Sequence, residues 1–280
     1  MCKRSVKFLI VFLFLVGLTG NSAAAQAQVT YRKLSFKDEF NKSVNSPIDT
    51  GKWTAEIGGG GWGNQELEYY TNSIENVYHD GQGSLVIKAI KLNPPLTLTC
   101  WYGSCQYTSA RLITKGKFEQ KYGKFEARIK VPRGQGMWPA FWMLGNNIDT
   151  VSWPACGEID IMENIGREPL IVHGTIHGPG YSGGNGIGAP FSLSNNAAFA
   201  DDFHVYSTEW SENVIRFYVD GNLYKTLTPS NIPQGSTWAF DHPFFMILNF
   251  AVGGGWPGNP DNTSVFPQTM LIDYVRVYKR

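Results

Sequence analysis

Apolar and polar residues alternate with a period of two along SLVIKAIK (84–91), KFEARIKV (124–131), VIRFYVDGNLYKTL (214–227) and MLIDYVRVYKR (270–280). Successive side chains of a strand point to opposite faces, so this alternation predicts strands with one face in a core and the other toward solvent. The β-branched and aromatic residues within them fit the same reading. In the third stretch Asp220-Gly221 separates two such runs, a strong hairpin signal. FFMILNFAV (244–252) is apolar almost throughout, which predicts a strand covered on both faces. No window carries the pattern of a long amphipathic helix. Many short strands separated by Gly, Pro and Asn predict an all-β fold, a two-sheet sandwich or barrel.

The first residues break this pattern. Lys3, Arg4 and Lys7 precede an apolar run (8–18), and small residues with two A-x-A sites follow in NSAAAQAQ. The run is short for a bilayer span, and the order of basic flank, apolar run and small residues reads as a secretory signal peptide over residues 1–27. Residues 28–280 are then expected to form a single catalytic domain, secreted to the extracellular space or periplasm, free of the membrane once the signal is removed, and monomeric. Cys2 leaves with the signal. Of Cys100, Cys105 and Cys156 at most one intrachain pair can form, and the short gap in TCWYGSC makes Cys100–Cys105 the candidate. Cys156 reads as a small buried apolar residue.

A formal net charge of +1 with no basic run argues against nucleic-acid or membrane-surface partners. With 31 Gly, 14% aromatic and 17% charged residues, the chain is rich in turns and aromatics and weakly charged, which suits a β-sandwich with a carbohydrate-facing groove.

GEIDIMEN (157–164) places three acids, Glu158, Asp160 and Glu163, within six residues. On a regular strand Glu158 and Asp160 share a face and Glu163 points away; on a helix Glu158 falls to one side. One extra residue in a strand, a bulge at Ile161-Met162, returns Glu163 to the face of the other two. Three acids on one face repel one another, and a neighbouring charge raises a carboxyl pKa, so that one Glu stays protonated while another is ionised. A retaining glycosidase needs such a pair. A solvated acidic face or a cation site is the plainer alternative, which the apolar Ile159, Ile161, Met162 and Ile165 oppose.

FKDEF, GWGNQELEYYT, GKFEARIKVP, GQGMWPAFWML, WPACGEIDIMENIG, GTIHG, AVGGGWPGNP and IDYVRVY occur in this order between residues 34 and 278. Together they resemble glycoside hydrolase family 16, and within it the laminarinase-like endo-β-1,3-glucanases. The resemblance implies a β-jelly-roll with a concave substrate groove, and retaining hydrolysis of β-1,3-glucosidic bonds in laminarin-type or mixed-linkage β-glucans without a catalytic cofactor. By position it makes Glu158 the nucleophile, Glu163 the acid/base, and Asp160 the residue that holds the nucleophile and tunes the pair. It puts Trp138, Trp142 and Trp153 in the groove as sugar platforms, Asn64 and Glu68 on a loop at its non-reducing side, Trp256 on a mobile loop at its edge, and His177 near Asp160. Gln65 and Glu68 depart from the family's more usual GWGNNELQYY. Arg111 in SARL can bind sugar or pair with an acid. A structural calcium ion is implied on the convex side, at Glu39 and Gly83 through backbone carbonyls and at Asp273. A galactan hydrolase, a transglycosylase of the same family and a non-catalytic β-glucan-binding module are the alternatives, the last opposed by the presence of both glutamates.

Overall fold

FFMILNFAV forms one strand, Phe244–Val252, with every residue buried. Its continuous apolarity reflects two covered faces. Phe244, Met246, Leu248, Phe250 and Val252 belong to the main core, whereas Phe245 and Ile247 pack on the opposite side with Ile113, Leu144 and Cys156. The computed structural model describes Met1, residues 30–93 and residues 97–280, so the expected signal segment, Met1 apart, lies outside the described residues.

Phe244–Val252 belongs to a seven-stranded antiparallel sheet. Its order is Ile187–Phe191, Val172–His177, Glu158–Glu163, Met137–Gly145, Phe244–Val252, Arg111–Ile113 and Thr54–Glu56. A ten-stranded sheet takes up the four alternating stretches as Leu85–Lys91, Gly123–Lys130, the pair Val214–Val219 with Asn222–Leu227, and Gln268–Lys279. Asp220 and Gly221 both have positive φ, 49° and 77°, as a two-residue hairpin turn requires. The inward residues Leu85, Ile87, Phe125, Ala127, Ile215, Phe217, Met270 and Ile272 meet the inner face of the seven-stranded sheet in one core. The expected two-sheet sandwich is therefore present, with the unit Tyr31–Arg280 forming a single body.

Cys100 and Cys105 are bridged across a small hairpin, and Cys156 is free and buried, its thiol pushed up to about 11 mainly by desolvation. Of the groups expected to hold calcium, the Asp273 carboxylate is already paired, whereas side-chain pairing does not bear on the Glu39 and Gly83 backbone carbonyls. Asp273 accepts a hydrogen bond from Arg128 Nη1 at 2.6 Å. Arg276 grips the Glu39 carboxylate with two bonds of 2.9 and 2.7 Å. A guanidinium already neutralises each of these acids.

Candidate active site

The strand Glu158–Glu163 shows how the sequence solves its spacing problem. Against Met137–Gly145, Asp160 faces Trp142 and Met162 faces Phe141, leaving Ile161 without an opposite residue. The register against Val172–His177 slips at the same place. Ile161 is thus the extra residue of a bulge, within the pair where alternation requires one. Ile159, Ile161 and Met162 all enter the core. Glu158, Asp160 and Glu163 emerge together on the outer face, where they line an open cleft.

The cleft crosses the strands and continues on both sides of the acids. One arm, about 300 Å³, runs over Trp142, Asn249 and Arg111 to Trp62, Asn64 and Glu66. The other, about 610 Å³, runs over His173, Thr175 and His177 to the glycine-rich 183–186 turn and Trp256. Trp138, Trp153, Asn64, Glu158 and Glu163 border both arms.

Each glutamate receives an indole N–H. Trp153 Nε1 donates to Glu158 Oε2 at 2.7 Å, and Trp138 Nε1 donates to Glu163 Oε1 at 3.0 Å. Trp153 is 45% exposed, so its ring is open to a ligand as well. Trp138 meets Trp256 edge to face at 5.5 Å, and Trp256 meets His173 at 5.1 Å. His177 lies opposite Glu158 in the ladder. Its Nε2 is 3.1 Å from Asp160 Oδ2 and 3.8 Å from Glu158 Oε1. Gly186 leaves room for this ring, since a Cβ there would stand 2.3 Å from His177 Cε1. Among the described residues, the acids and histidine whose donor atoms converge, all within 4.8 Å, are Glu158, Asp160 and His177, which is the acid cluster itself.

Burial dominates the electrostatics. Desolvation first and the charge of Glu158 second push Glu163 up to about 7. Glu158 is held well above the usual carboxylate range by desolvation and then by Asp160, and Asp160 by desolvation and then by Glu163. Three carboxyls in one dry site cannot all ionise, so a proton is retained among them near neutral pH. The arrangement offers a proton donor and a nucleophile on the same face.

Of the remaining expected residues, Arg111 lines the cleft and pairs with an acid, one of the two roles the sequence left open. Its guanidinium lies 4.9 Å from the Trp62 ring and 4.8 Å from the Trp142 ring, and its Nε is paired with Glu56. Glu68 requires a correction: it is fully buried and accepts the Val252 N–H at 2.6 Å, so it does not reach the cleft. Glu66, two residues earlier, occupies the wall instead. Trp62 and Asn249 are further cleft residues that sequence reasoning passed over. Asn249 had a signal, being the one polar residue inside FFMILNFAV.

The model for Glycosyl hydrolases family 16 matches residues 63–276. The chain belongs to this family. A Beta-glucanase of Rhodothermus marinus is 40% identical over 284 residues, covering 99% of this chain and 94% of that protein. The laminarinase catalytic domain from Thermotoga maritima MSB8 is 52% identical with a TM-score of 0.81, covering 89% of this chain and 98% of that chain. The endo-beta-1,3-glucanase from Pyrococcus furiosus is 49% identical with a TM-score of 0.81, covering 88% of this chain and 94% of that chain. The sandwich described above is accordingly the family 16 jelly roll, and the protein is a glycoside hydrolase.

Proposed function

We propose that this family 16 enzyme is a retaining endo-β-1,3-glucanase acting on laminarin-type or mixed-linkage β-glucans. The observation that carries the reading is the Ile161 bulge, which brings Glu158 and Glu163 to one face in the middle of a cleft continuing on either side. A chain can lie across such a cleft and be cut internally. The named activities of the Rhodothermus, Thermotoga and Pyrococcus relatives support β-1,3-glucan as the substrate.

In the first step Glu158 attacks the anomeric carbon while Glu163 gives its proton to the departing glycosidic oxygen. Asp160 and His177 stand beside Glu158 and orient it, and the Trp153 N–H favours its ionised form. Burial first and the charge of Glu158 second keep Glu163 protonated to about 7. Once Glu158 is esterified that charge is gone, so the Glu163 carboxylate left by the first step stays ionised and can take a proton from the water that frees the sugar. Two carboxyls on one strand face with only Asp160 between them suit the ~5–5.5 Å separation of a retaining pair better than the ~6.5–9.5 Å that accommodates an inverting water. Trp138, Trp153 and Trp142 offer flat faces to sugar rings. The Cys100–Cys105 bridge supports secretion into an oxidising compartment.

Reducing-sugar release from laminarin, lichenan, agarose and carrageenan tests the substrate, with laminarin expected first; agarose alone as substrate refutes it. Proton NMR of the anomeric region during the first minutes tests the mechanism. A β-anomer formed first supports retention, and an α-anomer formed first excludes Glu158 as nucleophile.

A further inference from the structure

The arm of the cleft beyond Trp142 hides a second acid pair that the reaction does not use. Glu66, 3% exposed, stands in the wall, and Glu68, 0% exposed, lies behind it, the two carboxyls close enough that each shifts the other's titration. Two neighbouring carboxylates shut away from water cannot both ionise cheaply, so one keeps a proton, and the surrounding bonds decide its place.

An indole N–H can only donate. Trp142 Nε1 donates to Asn249 Oδ1 at 2.7 Å, which commits the Asn249 amide nitrogen to the Tyr70 hydroxyl oxygen at 3.0 Å. Tyr70 must then send its own proton onward, to Glu66 Oε2 at 3.0 Å. Burial raises Glu66 as well, but against it work the Asn64 Nδ2 bond to Glu66 Oε1 at 3.1 Å and the Arg111 charge, both of which favour the anion. Every donor of the network converges on Glu66. Glu68 accepts the Val252 N–H on Oε2, and its Oε1 is buried with no hydrogen-bond partner among the described residues.

From this one-way chain we infer that Glu68 is a buried neutral carboxylic acid whose proton is donated to Glu66, and that it acts as a positioning residue, holding the anionic Glu66, and through it the chain to Trp142, in place for substrate. Burial and the charge of Glu66 raise Glu68 well above the usual carboxylate range, in keeping with this placement. The other titratable groups facing the pair are Tyr70, Tyr102, Arg111 with its partner Glu56, and Glu163 across the cleft. Losing the Glu68 proton as pH rises sets two carboxylates against each other and drives Glu66 from its place.

The protonation claim is independent of any substrate, whereas its effect on binding rests on the glucanase reading. Infrared difference spectra of parent and Glu68→Gln at neutral pH test the first: the protonated-carboxyl C=O band should lose one group in the variant, and an unchanged band overturns the inference. KM on laminarin from neutral to alkaline pH tests the second. The parent's KM should rise about tenfold, the scale of one lost charge-assisted hydrogen bond, while Glu68→Gln, with a permanent N–H donor, stays flat. The alkaline fall in kcat is common to both. Glu68→Leu should raise KM about tenfold at every pH; if it fails to fold, the Gln profile still decides. A Gln variant whose KM climbs with pH as the parent's does sinks the positioning role. Absence of hydrolysis of any glucan would refute the proposed function and leave the infrared result standing.

Discussion

Trp138→Phe should move the alkaline limb of the pH–rate profile to higher pH. Trp138 Nε1 donates to Glu163 Oε1 at 3.0 Å, and this bond favours the ionised form of the acid. A hydrogen bond to a charged acceptor contributes about 1.5–3 kcal/mol. Protonated Glu163 keeps part of it, because its carbonyl oxygen still accepts from the indole, so about half is lost selectively from the carboxylate. That corresponds to roughly one pH unit. Glu163, at about 7 in the parent, therefore rises in the variant. The proposed mechanism requires Glu163 protonated for the first step, so the descending limb of kcat/KM on laminarin should shift upward by about one unit. The variant also loses indole area in the groove and the edge contact with Trp256, which lowers the height of the profile but does not move its limbs. Initial rates across the pH range suffice to measure it. A limb that stays put, or moves to lower pH, refutes the assignment of Glu163 as the acid held by Trp138.

Glu158→Ala should nearly abolish hydrolysis while azide restores turnover with an α-configured glycosyl azide as product; hydrolysis at the parent rate removes Glu158 from the mechanism. Deleting Ile161 should close the bulge and turn Glu163 away from Glu158, with activity lost in a protein that circular dichroism finds folded; an active deletion variant would show that the surrounding strand sets the geometry. Glu163→Gln should stabilise the fold at alkaline pH. The acid rises from 4.5 to about 7 on folding, so its stabilising protonated form is fully present below about 4.5 and lost as pH passes about 7. The variant escapes this loss, by up to about 3 kcal/mol above that pH, whereas parent and variant should melt alike near pH 4; equal melting temperatures at both ends would contradict the burial argument.

The strands at 85–91, 123–130, 214–219, 222–227 and 268–279 could be read from the sequence because alternation is local: each residue's face follows from its neighbour's. The same rule made the odd spacing of Glu158, Asp160 and Glu163 an anomaly that one extra residue resolves, and the ladder shows Ile161 to be that residue. Alternation is blind to what packs above a strand. It does not say which of Glu66 and Glu68 meets the cleft, and that is decided by Phe244–Val252, whose Val252 amide claims Glu68. Asn249 could be singled out as a polar residue in an apolar run, but its link to Trp142 and Tyr70 joins segments far apart in sequence. Asp273 reads as a free carboxylate in the sequence until the fold brings Arg128 against it. The sequence by itself determined the all-β class and the bulge that brings three acids to one face, because these follow from period and spacing along single strands, while the family resemblance supplied the jelly roll and the roles expected of the acids. Only the tertiary structure decided which carboxyl is buried, which is paired and which is open to a sugar, because desolvation and ion pairing depend on distant residues that folding brings into contact.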